Sequence, residues 1–326
     1  MLDGCGNQVT ATDCANLAAR PTPSSVLKTC ATKPPHPNDK AGLLFAVASC
    51  FGMGMAMVVA RFAYDGGANG LALGTARSVF FVPAVFLFCC LSKRSLSMSF
   101  RDWLQCAGLG VFMAGAFYGH VASVEFLPIG LAAILFFTFP PLIAVLHAVV
   151  LREPPGLAKT ISLLVAFAGL ALMLGVSIDS ANPRGLALAL GASVCVAWNT
   201  FWTAQRISHI DGVVAVFHMG VVAMVLLVSI SWITGTAVLP QTQSGWAGLA
   251  GVVLLQTLSL PLFYLAIPRI GSLKAGMLAN VQPLSSIVLA FLVFGELLSG
   301  LQLVGGGMVL TGIWLMQRQD RGSVTR

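Results

Sequence analysis

The polar side chains able to bind a small solute are few in this sequence, and each stands within a long apolar segment. His120 and Tyr118 lie close together in the run FYGHVASVE. Two residues along a helix turn the side chain by roughly 200°, so only one of the two can face a given pocket squarely. His120 is the better candidate because an imidazole donates, accepts and changes charge near neutral pH. A hydrogen-bonded structural histidine is the alternative.

A second candidate group lies in the run AWNTFWTAQ. Trp198 and Trp202 are four residues apart and therefore share one helix face, and Asn199 stands beside them. A polar amide between aromatic walls is typical of a pocket for a small amphipathic solute. Paired tryptophans near a helix end also anchor proteins at the membrane interface, so both interpretations stay open.

Further amides occur late in the sequence, at Gln256, Asn280 and Gln282. The last two precede Pro283, which has no N–H and so frees a carbonyl one turn earlier. A kinked membrane helix with polar groups at its break is typical of a binding site. The alternative is that these amides only join neighbouring helices by hydrogen bonds.

Arg77 is a basic residue inside an apolar segment. It lies about seven residues, or ~10 Å, into the predicted helix, and a cation at that depth is costly unless it faces protein, water or an anion. Three roles are open. Arg77 forms a packing or gating contact with Glu125, it binds a substrate carboxylate, or its side chain extends to the lipid headgroups. We predict the structural or gating role.

The sequence contains no motif for a metal, a cofactor or a catalytic cluster. Its eight cysteines include no Cys-x-x-Cys pair and its five histidines no His-x-x-x-His pair, so neither a redox dithiol nor a zinc site is indicated. A phosphate loop of the Gly-x-x-x-x-Gly-Lys-Ser/Thr type is absent too. We therefore predict no cofactor, no metal site and no enzymatic activity.

The elements that carry these side chains are apolar segments of membrane-spanning length. Hydrophobic residues make up 57% and charged residues 9% of the 326 residues, whereas soluble domains are about 25% charged. A transmembrane helix needs about 20 apolar residues. Ten such runs occur, at 42–62, 70–92, 103–124, 129–151, 157–176, 185–206, 213–235, 246–268, 272–295 and 299–317. The first 39 residues are instead polar and rich in proline, which predicts a disordered tail.

Basic residues are distributed unequally between the two ends of these segments. With the N-terminus inside, fifteen Lys and Arg residues lie on the inner side and only Arg61 and Arg184 on the outer side. Cytoplasmic loops retain such residues, which predicts an inner (plasma) membrane protein with both termini in the cytoplasm. Because the net charge of +7 is spread over short connections, the expected partner is the lipid bilayer and not nucleic acid.

An internal repeat relates the two halves of the chain. Pro140 precedes Glu153 by thirteen residues, and Pro283 precedes Glu296 by the same distance. Each copy holds five spans, an odd number, so the second copy must be inverted in the membrane, as in transporters that alternate access to a central site. We predict that the two prolines kink their helices and that the two glutamates hold gates or loops at opposite faces.

With these two Pro-to-Glu helix ends, and with Arg77 in the run TARSVFFVPAVF, residues 41 to 318 resemble the drug/metabolite transporter superfamily and, within it, the ten-helix EamA type. The resemblance implies an all-α integral membrane fold of ten transmembrane helices in two inverted five-helix repeats. The implied divisions are a disordered cytoplasmic tail at 1–40, repeats at 41–178 and 183–318, and a cytoplasmic tail at 319–326. In related proteins the final helix can serve dimer contacts, so a homodimer is an open expectation.

The family also implies transport of amino acids, related metabolites or drugs without nucleotide hydrolysis. The resulting hypothesis is a secondary transporter of a small-molecule substrate, with export favoured by the resemblance. A multidrug exporter is the first alternative, but carriers of lipophilic cations hold them with an acidic residue at mid-membrane, and the apolar runs contain none there. A membrane-embedded enzyme is another alternative, a scaffold would leave the repeat unexplained, and a channel would give a flux that does not saturate.

Overall fold

The computed structural model of this chain is a bundle of α-helices. Structure is described for residues 39–123, 126–127, 129–175, 182–294 and 299–322, and within those ranges all regular structure is helical. The helices are α1 Lys40–Asp65, α2 Gly70–Leu91, α3 Phe100–Ser123, α4 Ile129–Phe136, α5 Phe139–Val150, α6 Leu157–Leu174, α7 Pro183–Arg206, α8 Gly212–Thr234, α9 Gln243–Ile270, α10 Ser272–Leu278, α11 Val281–Phe294 and α12 Gly300–Gly322.

The helices have the length and composition of membrane spans. In the part of the chain that the structure describes, nine helical stretches are long and apolar enough to cross a membrane, and Gly300–Met316 is a shorter apolar helix. The predicted all-α membrane fold is confirmed. Most of the tail predicted at 1–40 lies outside the described residues, and α12 continues to Gly322, into the segment predicted as the second tail.

Five helices begin next to a residue whose side chain accepts hydrogen bonds from free backbone N–H groups. Asp39 Oδ1 accepts from the Ala41 N–H at 2.9 Å before α1, and Asp211 Oδ1 accepts from the Val213 N–H at 2.9 Å before α8. Asn69, Asn182 and Thr242 cap α2, α7 and α9 in the same way. These polar caps fix where the apolar segments enter the membrane.

The fourth and ninth spans are each divided into two helices. A break of two residues separates α4 from α5, and another separates α10 from α11. Pro140 and Pro283 follow these breaks. Proline has no N–H, and its ring clashes with the carbonyl four residues earlier, at positions 136 and 279, next to each break. Both repeats therefore lose one regular helical hydrogen bond within their fourth span, and in the second repeat the Ala279 carbonyl accepts instead from the Gln282 N–H at 2.9 Å.

Packing between helices follows the internal repeat. The repeat pairs α1 with α7, α2 with α8, and α3 with α9. Under this correspondence the contact between α1 and α9 is equivalent to the contact between α7 and α3, and both contacts are extensive. The equivalent helices α2 and α8 pack together, as do α6 and α12. The two repeats thus interlock, and a site between them is shared by both.

The contact between α6 and α12 depends on glycine. A Cβ added at Gly169 would lie 2.6 Å from both the Gly305 carbonyl oxygen and Met308 Cβ. We expect Gly169→Val to lower the free energy of unfolding by about 1–3 kcal/mol, because overpacking forces the two backbones apart. The thermal denaturation midpoint in detergent measures this, with Gly307→Val as control since a Cβ there meets nothing within 4 Å. Equal midpoints for the two variants would contradict the close packing.

Candidate functional site

A cavity of about 870 Å³ lies between the two repeats. The first repeat contributes α1 to α6, and the second contributes α7, α9 and α11. On each helix the lining residues recur every three or four positions, as one helix face requires. On α1, for example, they include Cys50, Met53, Met57, Arg61 and Tyr64.

The cavity reaches the surface at one end of the bundle. We call the face at which α1 begins the N-terminal face and the face at which α1 ends the opposite face. Arg61 and Asp65, near the end of α1, line the cavity and are exposed. Asn199 and Tyr264 line it nearer the N-terminal face and are buried. The cavity is therefore open toward the opposite face.

A contact between α5 and α10 closes the cavity at the N-terminal face. His147 Nε2 lies 2.9 Å from Ser272 Oγ, and a Cβ added at Gly276 would lie 2.7 Å from Ile143 Cδ1. The equivalent pair of helices at the opposite face, α4 and α11, forms no comparable contact over their described residues. This difference between equivalent pairs leaves the cavity open at one face.

Ionisable side chains also join the two repeats at the N-terminal face. The pairs are Asp39 with Arg269, Asp102 with His209, and Arg94 with Asp211. Each pair has one member in each repeat. Because partly exposed pairs of this kind contribute about 0–1 kcal/mol each, we expect them to add less to closure than the packed α5–α10 contact.

Four of the predicted substrate-binding residues line the cavity, namely His120, Asn199, Gln256 and Gln282. The His120 ring centroid lies 4.0 Å from that of Phe136, and its Nδ1 is buried with no hydrogen-bond partner in the described structure. Gln282 Nε2 lies 3.3 Å from the sulfur of Met57, which leaves the amide oxygen for another donor. These side chains give the cavity both donors and acceptors.

Asn199 is already hydrogen-bonded at the floor of the cavity. Its Nδ2 donates to the Leu109 carbonyl at 2.8 Å, and its Oδ1 accepts from the Tyr264 hydroxyl at 2.5 Å. Asn199 is 3% exposed and Tyr264 5% exposed. The amide thus ties α7 to both α3 and α9, and it has little remaining capacity for a solute.

The other four predicted binding residues, Tyr118, Trp198, Trp202 and Asn280, are not part of the cavity wall. Position 118 falls between the lining positions of α3 and so lies on another face of that helix. Trp198 packs on Phe112 and on Trp202, with ring centroids 5.7 Å apart in both cases. Asn280 is 2% exposed, within the break of the ninth span.

The residues predicted to be structural or gating lie in different places. Pro283 lines the cavity, whereas Pro140 stands at the start of α5 outside the lining. Glu153 is exposed beyond the end of α5, and Glu296 lies outside the described residues. No cluster of three or more His, Cys, Asp or Glu side chains that could hold a metal ion occurs within the described ranges.

Arg77 lines the cavity. Its guanidinium carbon lies 3.5 Å from the centre of the Phe117 ring, and its Nε is buried with no hydrogen-bond partner among the described residues. Glu125, the contact predicted for Arg77, lies outside those residues. The guanidinium therefore rests on an aromatic face within the cavity wall.

Several lining residues were not predicted from the sequence. They are Tyr64, Asp65, Asn69, Phe117, Phe136, Thr200 and Ser286. Some stand one helical turn from a predicted residue, as Phe117 does from His120 and Ser286 does from Gln282. A search three and four positions along the helix from each polar candidate would have found those.

Apolar helices of spanning length and a central cavity between inverted repeats define an integral membrane protein with transporter architecture. The chain belongs to the EamA-like transporter family, whose sequence profile matches residues 40–175 and 183–318. The resemblance to the drug/metabolite transporter superfamily is thereby confirmed.

The chain is also similar to two exporters and to one solved structure. It is 29% identical over 198 residues to the threonine/homoserine exporter RhtA of Salmonella typhimurium, covering 60% of this chain and 64% of the relative. It is 28% identical over 204 residues to the Escherichia coli K12 exporter of the same name, covering 62% and 66%. Each match spans less than two thirds of the relative. One crystal structure superposes with a TM-score of 0.69 over 86% of this chain and 98% of the other, at 19% identity, which shows the fold alone.

Proposed function

We propose that this protein is a secondary transporter that exports small organic metabolites, amino acids or related compounds, by alternating access. The observation that carries the proposal is the cavity between two inverted repeats, open to one face and closed at the other. A solute bound there would cross when the α5–α10 contact opens and α4 closes on α11. The proposal includes no catalytic step.

The equivalence of the two repeats supports a second conformation, in which the cavity is open at the N-terminal face and closed at the opposite face. Because α4 and α11 are the counterparts of α5 and α10, exchanging the conformations of the two repeats would close the opposite face and open the N-terminal face. The His147–Ser272 hydrogen bond and the exposed ion pairs would break in each cycle. Their net contributions of about 1 kcal/mol or less each make such a change reversible.

The N-terminal face is proposed to be cytoplasmic. Among the described residues, eleven Lys and Arg residues lie on that side of the spans, against Arg61 and Arg184 on the other, and cytoplasmic segments retain basic residues. Both termini would then be cytoplasmic, and the conformation described here would be open to the outside. For an exporter this is the state that releases its solute.

Amino-acid-like solutes are supported by the cavity and by the relatives. The relatives are named as threonine/homoserine exporters, and the volume of about 870 Å³ lies within the range of small-molecule sites. Among the described lining residues the one carboxylate is Asp65, exposed at the mouth. A lipophilic cation would find no buried acid there.

The test is counterflow of labelled L-threonine and L-homoserine into liposomes that contain the purified protein and the same unlabelled solute. Counterflow needs no knowledge of a coupling ion. We expect saturable uptake that tetraphenylphosphonium does not inhibit, and none in protein-free liposomes. Uptake of the cation alone would replace the metabolite exporter with the multidrug alternative, and uptake that never saturates would replace the carrier with a channel.

A further inference from the structure

Arg77 places a permanent positive charge in the cavity wall. It is the eighth residue of α2, ~10 Å along the helix from the opposite face, and a guanidinium does not deprotonate in proteins. A cation at this depth must be balanced by water, by protein or by an anion. The structure therefore raises the question of what balances this charge.

The contacts of Arg77 with the described residues do not use its N–H donors. One face of the guanidinium is covered by Phe117 at 3.5 Å, a contact that uses the flat face and none of the five N–H groups. Over the described residues the side chain forms no hydrogen bond or ion pair with protein. Arg77 and Gln256 also line a side pocket of about 10 Å³, which is room for about one water.

Two further polar side chains in the cavity wall can donate hydrogen bonds to an anion. Gln256 and His120 line the same cavity as Arg77, and an amide N–H and an imidazole N–H both donate to carboxylate oxygens. The one described carboxylate in the wall, Asp65, lies at the exposed mouth and not beside these donors. An arginine whose buried Nε has no partner among the described residues, and which shares the cavity wall with further donors, is arranged for an anionic group brought by the solute.

We propose that Arg77 binds the carboxylate of the transported solute, an inference that rests on the proposed function. The planar guanidinium matches a carboxylate with two parallel N–H···O bonds, while the aromatic rings of Phe136 and Tyr264 in the same wall offer faces to an ammonium group. The transporter then selects small amino acids and rejects their amides. The gating role predicted for Arg77 is the alternative that the experiment separates.

The first measurement uses the wild-type protein. L-threonine and L-threoninamide are compared as inhibitors of labelled L-threonine counterflow, because they differ only in the carboxylate. Loss of a charged hydrogen-bond pair corresponds to about tenfold or more in affinity, so threoninamide should inhibit about tenfold less well. Equal inhibition by the two would overturn the Arg77 proposal while leaving the transporter proposal intact.

The second measurement assigns the preference to Arg77. Arg77→Met should raise the half-saturation concentration for threonine and remove the preference over threoninamide, and Arg77→Lys should keep part of it, since an ammonium has charge but no planar fork. Arg184→Met is the matched control, because Arg184 is exposed and outside the cavity. A variant that transports more slowly yet keeps the full preference has lost a gating contact, which overturns the proposal.

Folding is checked by the thermal denaturation midpoint of each variant in detergent. If Arg77→Met does not fold, Arg77→Lys decides: a reduced preference supports the assignment, and an unchanged one overturns it. A wild-type protein that transports amides and cations but no carboxylate-bearing solute would overturn the proposed function itself. These outcomes are distinct, so the two proposals fail separately.

Discussion

A single cysteine at Ser286 should react with a membrane-impermeant maleimide added from the opposite face about tenfold faster than from the N-terminal face. The experiment uses Ser286→Cys in a chain whose eight native cysteines are replaced. Ser286 lines the cavity, and its hydroxyl donates only to the Pro283 carbonyl, at 2.8 Å. Vesicles prepared in the two opposite orientations expose one face or the other to the added maleimide.

Gly276→Leu is expected to reverse this accessibility and to abolish most of the counterflow. Its Cβ would lie 2.7 Å from Ile143 Cδ1 and 3.7 Å from Pro140 Cα. The Ile143 methyl group can rotate away, but the further carbons of a leucine meet the α5 backbone, so this side chain pushes α10 from α5 and destabilises the state closed at the N-terminal face. An overpacking penalty of about 1–3 kcal/mol on one of two states changes their ratio by about 5–150-fold. That shift is enough to hold the carrier in one conformation.

The matched control for this change is Gly191→Leu. Gly191 is exposed on α7, and a Cβ there meets nothing within 4 Å, so labelling and counterflow should both match the parent. If the cysteine at position 286 reacts equally from both faces before any glycine is changed, the α5–α10 contact is not a closed gate. If Gly276→Leu leaves the labelling unchanged, the gate lies elsewhere.

Most of the fold could be predicted because the bilayer restricts what a chain can do. Backbone groups in hydrocarbon must be satisfied within the segment, so apolar runs of spanning length are helices. The breaks near Pro140 and Pro283 follow from a missing N–H, which is local chemistry visible in the sequence. The choice of which face is closed could not be predicted, because equivalent helices in the two repeats can form either contact and the two states differ by small energies.

The site was harder to predict than the fold, for a reason visible at Trp198 and Tyr118. In a soluble protein the hydrophobic residues of a helix identify its buried face. A membrane helix is apolar on both its lipid-facing and its protein-facing sides, so hydrophobicity does not identify the face that packs on protein. The rotation of α7 is instead set by packing, here of Trp198 on Phe112. Polar residues such as His120 and Gln256 carry stronger information, because a polar group facing lipid is costly.

Asn199 and Tyr264 form a buried hydrogen-bonded pair, and its loss should destabilise the folded protein. Asn199→Ala removes the bonds with the Leu109 carbonyl and the Tyr264 hydroxyl, and a longer contact with Met219 Sδ. The Leu109 carbonyl lies inside α3 and keeps its helical hydrogen bond, whereas the Tyr264 hydroxyl is left buried without this partner. A hydroxyl buried without its partner costs about 1–3 kcal/mol, so we expect a marked fall in the thermal denaturation midpoint. Tyr264→Phe removes one bond and should cost less, near the ~0.6 kcal/mol average for hydrogen bonds between membrane helices.

A double-mutant cycle separates a structural role of Asn199 from a solute-binding role. Because Asn199→Ala leaves the Tyr264 hydroxyl buried without this partner, adding Tyr264→Phe removes that hydroxyl and should recover part of the lost stability. The coupling in the cycle should therefore exceed the cost of the single change in Tyr264. The Asn199 amide nitrogen and oxygen both have partners within the protein, so Tyr264→Phe should leave the half-saturation concentration of threonine counterflow unchanged. His120→Ala should raise it, since the His120 ring lines the cavity and its Nδ1 has no partner among the described residues. The reverse pattern, with His120→Ala silent and Tyr264→Phe weakening threonine binding, would show that the solute binds at the floor of the cavity through the Asn199 amide.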